Sequence, residues 1–205
     1  MNVMSRIGCT GGLLLLSGAA MAGDPAVDCK TAKLRSIERL MCRSPMLTSL
    51  DKELTRLYAL ATASRPGTAA ATISKEQAGW LSQRSACTKN KIQAECVRDL
   101  YVARIASIRE QSKAARAADT KGISLGPFAF QCESIDAPLN ITYVNADPGL
   151  AWVTIKDRSY PLVQQRSGSG ARYEGVGTLF WEHQGEARWR ATTNMPEVTC
   201  KRAKG

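Results

Sequence analysis

The sequence predicts an α+β chain of two domains, a disulfide-stapled helical bundle followed by an antiparallel β-domain of roughly eight short strands. Three observations carry this. Apolar residues recur at spacings of three and four through the first half of the chain and at a spacing of two through the second. A polar stretch ending in Gly126-Pro127 separates the two patterns. The chain has seven cysteines, and setting aside one in an N-terminal leader leaves an even number, as expected for disulfides in an exported chain.

Residues 1–22 read as a signal peptide. Arg6 supplies the positive start, Leu13 to Leu16 form a short apolar core, and Ala20-Met21-Ala22 fits cleavage near Ala22. The apolar run is too short to span a bilayer, so no transmembrane segment is expected and the mature chain belongs in the periplasm or outside the cell. Cys9 precedes the apolar core and leaves with the leader. The cysteines that remain are Cys29, Cys42, Cys87, Cys96, Cys132 and Cys200.

Residues 23–112 form the helical domain. Leu47, Leu50, Leu54, Leu57, Tyr58 and Ala61 make one apolar stripe. Asp51 and Glu53 flank it, where acidic side chains favour a helix start. Pro66-Gly67 breaks the pattern. A second helix carries Ile73, Gln77, Trp80, Leu81 and Arg84 up to Cys87, and a third runs from about Ala94 through Val97, Leu100, Tyr101, Ile105 and Ile108. Trp80 and Tyr101 are read as core. Six cysteines allow about fifteen pairings, and spacing narrows them. Thirteen residues of straight helix span roughly 20 Å, whereas a disulfide holds its Cα atoms within about 7 Å. If Cys29 pairs with Cys42, the chain turns back between them and Cys29 lies in an extended lead-in. Pairing of Cys87 with Cys96 asks for a turn at Thr88 to Lys91.

Residues 113–127 are expected to be a linker. Over 128–205 the period is two: Phe128, Phe130 and Cys132; Ile141 and Tyr143; Ala151, Val153 and Ile155; Tyr160 and Leu162; Ala187 and Trp189; Val198 and Cys200. Turn clusters such as Asn145 to Gly149 and Lys156 to Ser159 separate the runs. The pattern fits an antiparallel meander closed into a barrel or a sandwich. In a closed barrel, Cys132 on the first strand and Cys200 on the last become neighbours.

Charge divides the same way. Residues 23–122 hold 18 Lys/Arg against 10 Asp/Glu, whereas residues 123–205 hold 9 against 8. The basic charges are interspersed, which describes a solvated helical surface and leaves anionic envelope components as candidate partners without suggesting nucleic acid. Residues for chemistry are sparse. The one histidine, His183, cannot make a two-histidine metal site, no close Cys pair suggests zinc, and Gly168-Ser169-Gly170 lacks a nucleophile elbow. Glu182 and Glu186 are expected to face solvent on a hairpin. No catalytic residue, metal or cofactor is expected, and the chain does not read as an enzyme.

Two resemblances cover nearly all of the mature chain. Cys29, Glu38, Cys42, Leu50, Asp51, Leu54, Tyr58, Gln77, Trp80, Leu81, Arg84, Cys87, Cys96, Tyr101, Arg104 and Ile105 resemble the pattern of LprI-type lysozyme-inhibitor domains of exported bacterial proteins. Phe130, Cys132, Tyr143, Tyr160, Leu162, Ser169, Gly170, Tyr173, Phe180, Trp181, Ala187 and Cys200 resemble the MliC-type inhibitors of c-type lysozyme. The second resemblance implies an eight-stranded antiparallel barrel and c-type lysozyme as partner. It also implies that a loop serine and a hairpin lysine enter the lysozyme cleft and meet its catalytic carboxylates. Ser169 inherits the serine's role, and Ser169, Gly170, Tyr173, His183 and Gln184 are the binding residues expected from it. The family hairpin reads Trp-x-Lys-Gly-x-x-Ala. Here His183 stands at the lysine and Gln184 at the glycine. Lysine is a permanent cation whereas histidine is cationic only after protonation, so inhibition mediated by His183 is expected to strengthen as pH falls. The reading is an exported inhibitor that occludes the lysozyme cleft; its rival is a non-catalytic envelope binding or scaffold protein with a basic helical domain.

Overall fold

A computed structural model describes residues 26–64, 67–117 and 121–203. The leader over residues 1–22, its cleavage near Ala22, and Cys9 lie outside the described residues, as does Pro66. Among the described residues, five α-helices precede eight strands. The helices are α1 (Ser36–Cys42), α2 (Pro45–Ala63), α3 (Thr68–Ala86), α4 (Gln93–Gln111) and the single turn α5 (Lys113–Arg116). Ser44 caps α2, its hydroxyl accepting from Leu47 N at 3.3 Å, and proline occupies the first turn, where no amide donor is lost. The apolar stripe Leu47, Leu50, Leu54, Leu57 and Ala61 is buried against α3 and α4.

Polar side chains are threaded through this bundle. Trp80 Nε1 donates to Leu100 O at 2.9 Å, tying α3 to α4. Arg84 Nη1 donates to the Tyr101 hydroxyl at 2.8 Å, and that hydroxyl donates to Asp51 Oδ1 at 2.7 Å. Burial, with Asp51 alongside, pushes the Tyr101 phenol well above its ordinary range. Asp51 and Glu53 do not sit at a helix start as the sequence suggested, because α2 begins six residues before Asp51. Both are buried and serve as acceptors for distant donors, Val27 N reaching Asp51 Oδ2 at 2.6 Å and Ser124 N reaching Glu53 Oε1 at 3.2 Å.

The strands are β1 (Ser124–Cys132), β2 (Leu139–Val144), β3 (Leu150–Ile155), β4 (Arg158–Gln165), β5 (Ala171–Glu174), β6 (Leu179–His183), β7 (Glu186–Arg190) and β8 (Val198–Arg202). They form a closed antiparallel barrel in sequence order, which settles the choice between barrel and sandwich. Phe130, Ile141, Val153, Leu162, Tyr173, Phe180 and Trp189 belong to its core, as the period of two requires. The seam between β1 and β8 has three register pairs, the last of them Cys132 opposite Cys200. Those two cysteines are bonded, as are Cys29 with Cys42 and Cys87 with Cys96. The connections β2–β3, β4–β5 and β6–β7 leave one end of the barrel, and the other connections leave the opposite end.

Of residues 113–127, expected as a linker, Lys113–Arg116 form α5, Ser124 to Pro127 belong to β1, and 118–120 lie outside the described residues. Arg109 of α4 explains this, donating to Gly126 O (2.8 Å), Ala115 O (2.9 Å) and the Ser124 hydroxyl (3.2 Å) from a buried position. Val144 and Leu150 on the barrel's outer wall join the helical core, with Trp152 and Val163 packed beside them. The two domains are therefore welded through a shared apolar seam.

Candidate functional site

The β4–β5 connection, residues 166–170, carries Ser169 at one end of the barrel. Its shape is fixed locally. The Ser167 hydroxyl donates to Ser169 O at 2.6 Å, and Trp181 Nε1 on β6 donates to the same oxygen at 2.9 Å. Gly170 follows with φ +65°, and a Cβ there would lie 2.2 Å from Glu182 O and 3.0 Å from His183 Cβ. Only glycine permits both the left-handed backbone and this close approach. The loop is thus pressed flat against β6.

The neighbouring β6–β7 hairpin turns in two residues, Gln184 and Gly185, with φ of 51° and 83°. Two positive φ values in succession make the turn whose twist matches the flanking strands. Gln184 occupies a left-handed position that glycine adopts more easily, and it is exposed. His183, the last residue of β6, is exposed opposite Glu186. Between loop and hairpin lies an open depression of about 320 Å³, lined by Ser169, Trp181, His183, Glu186 and Arg188 among others.

Of the residues expected to bind, Ser169, Gly170 and His183 are brought together here and Gln184 stands at the adjoining turn. Tyr173 is not part of this surface. It is 6 % exposed, and its ring packs inside the barrel 5.5 Å from that of Tyr143. Glu182 also departs from expectation. Its Oε2 accepts from the Tyr143 hydroxyl at 2.5 Å, so it turns away from solvent to bridge β2 and β6. Burial, with Glu182 adding its negative charge, raises the pKa of both tyrosines. Glu186 does face solvent, with Lys201 Nζ 3.7 Å away.

Sequence reasoning missed Arg188 and Arg172. Both guanidinium groups lie over the Trp181 indole, at 5.9 and 6.0 Å from its centroid. A signal existed: a two-residue turn at Gln184-Gly185 places Trp181 opposite Arg188, and alternation around Ala187 and Trp189 turns Arg188 outward. Among the described residues, no group of three or more His, Cys, Asp or Glu could hold a metal ion, and no helix is long and apolar enough to cross a membrane.

Residues 130–197 match the family model described as membrane-bound lysozyme-inhibitor of c-type lysozyme. Lipoprotein LprI of Mycobacterium bovis is 31% identical over 164 residues, covering 80% of this chain and 78% of the relative. Lipoprotein LprI of Mycobacterium tuberculosis matches to the same extent. Among solved structures, Pseudomonas aeruginosa MliC in complex with hen egg white lysozyme aligns with 42% of this chain and 91% of its own, at 23% identity and a TM-score of 0.34. Its C-terminal barrel matches the c-type lysozyme-inhibitor model, and on the extent of its identity to the mycobacterial proteins this chain belongs to the LprI family.

Proposed function

We propose that this protein is an exported inhibitor of c-type lysozyme, and that it acts by lodging the Ser169 loop and the β6–β7 turn in the enzyme's cleft. The match of residues 130–197 to the inhibitor family supports the partner. One geometric observation carries the mode of action: Trp181 Nε1 holds Ser169 O at 2.9 Å, fixing the loop to the hairpin before any partner arrives. A loop already ordered loses little conformational entropy on binding. The Ser169 hydroxyl makes no hydrogen bond among the described residues and is exposed, so it is available to a polar group in a cleft. Tyr173, Tyr143 and Glu182 act from inside the barrel as supports of the strands that bear the loop.

The test is titration of the mature protein into a c-type lysozyme activity assay, beside Ser169→Ala. Removing a hydroxyl that bonds to a charged group costs about 1.5–3 kcal/mol, roughly a ten- to hundredfold weaker inhibitor. Equal inhibition by Ser169→Ala discards the plug while keeping the inhibitor. Absence of inhibition at micromolar concentrations discards both.

A further inference from the structure

Three residues in direct register cross the outer face of β5, β6 and β7: Arg172 opposite Trp181, and Trp181 opposite Arg188. The two arginines flank one indole, yet their charges are disposed differently. Arg172 Nε donates to Glu174 Oε1 at 2.8 Å and is neutralised there. Arg188 is exposed and makes no ion pair or hydrogen bond among the described residues. Glu186 lines the same depression and lies 3.7 Å from Lys201, while Glu182 turns inward to the Tyr143 hydroxyl. The depression beside Ser169 and His183 therefore holds a permanent cation with no ion-pair partner among the described residues.

We infer that Arg188 is the residue through which this surface recognises a carboxylate of its partner, and that Arg188, not His183, sets the charge specificity of the site. This rests on the inhibitor reading given above. A guanidinium stays charged at any working pH and presents a planar fork that fits a carboxylate, whereas an imidazole is cationic only after protonation. Stacking on Trp181 restricts the arginine's rotamers before binding, which lowers the entropy lost in the complex. The same indole holds Ser169 O, so cation and loop are referenced to one rigid group. An acidic side chain entering the depression meets a permanent cation beside the serine hydroxyl.

Four full-length proteins decide the matter in a lysozyme inhibition titration: unsubstituted, Arg188→Gln, Arg188→Lys and His183→Gln. Arg188→Gln is expected to raise the inhibition constant at least about tenfold, and by more than His183→Gln does, with Arg188→Lys recovering part. A charge contact also makes inhibition weaken with salt, so the salt dependence should flatten in Arg188→Gln while thermal unfolding is unchanged. Inhibition by Arg188→Gln equal to that of the unsubstituted protein overturns the role of Arg188 and leaves the inhibitor reading intact. A loss whose salt dependence is unaltered overturns the charge role. Failure of the unsubstituted protein to inhibit overturns the inhibitor reading itself, and the present inference with it.

Discussion

Replacing Gly170 with alanine tests the coupling of loop to hairpin most directly. The added Cβ would stand 2.2 Å from Glu182 O, where ordinary contact begins at 3.4 Å, so loop and strand must separate by about 1.2 Å. Trp181 Nε1 lies 2.9 Å from Ser169 O, and a displacement of that size carries the pair beyond hydrogen-bonding range. The left-handed backbone at φ +65° costs an L-residue about 1–2 kcal/mol. The broken hydrogen bond removes about 1 kcal/mol more. A loss of about 2–3 kcal/mol lowers the melting temperature of a chain this size by about 5–10 °C. The cost to inhibition should be larger in relative terms, about tenfold or more, because Ser169 moves with the loop. Circular dichroism melting and a lysozyme titration read the two effects separately. A Gly170→Ala protein that melts and inhibits like the unsubstituted one refutes the claim that close packing against β6 positions the loop.

Two further outcomes follow from the domain seam and the barrel seam. Burial works against the ionised form of Glu53, but hydrogen bonds from Arg56 and Ser124 outweigh it and hold its pKa below the reference value of 4.5. A depressed carboxylate stabilises the fold above its unfolded pKa and loses that contribution as pH falls through the folded value. Unfolding midpoints should therefore drop below about pH 4.5, and Glu53→Gln should flatten that drop while lowering stability at pH 7. Replacing Cys132 and Cys200 with alanine removes a crosslink spanning 68 residues, worth about 4 kcal/mol in the chain-entropy model, and urea unfolding should show a loss of that order.

The antiparallel strands were legible because side chains alternate along a strand, so Ala151-Val153 and Ala187-Trp189 announce an inward face without any tertiary knowledge, whereas the choice of barrel over sandwich came from the resemblance. The pairing of Cys132 with Cys200 followed from closure. The helical core followed from the stripe Leu47 to Ala61. What escaped was the fate of carboxylates. Asp51, Glu53 and Glu182 look like solvated surface acids in sequence, since their partners Tyr101, Ser124 and Tyr143 lie 50, 71 and 39 residues away. The welded domains escaped for a related reason, although Leu150-Ala151-Trp152-Val153 is apolar on both faces, the mark of a strand covered from both sides. Within the site, Ser169 and His183 were singled out by resemblance. Arg188 was not, because its lack of an ion-pair partner depends on where Glu186 and Lys201 point.

The barrel's closing seam also orders events in time. β1 and β8 meet through three residue pairs, and β8 is the last strand of the barrel in sequence order. A nascent or refolding chain cannot shut the barrel until those residues have arrived, and such non-local pairing must overcome loop-closure entropy before any contact rewards it. The bundle closes shorter loops, its disulfides spanning 13 and 9 residues and Tyr101 reaching Asp51 across 50. Once formed, it offers an apolar wall on which Val144, Leu150 and Val163 can settle. The face formed by β2, β3 and β4 thus packs on elements that precede it in the chain, whereas closure of the barrel waits on the strand that comes last.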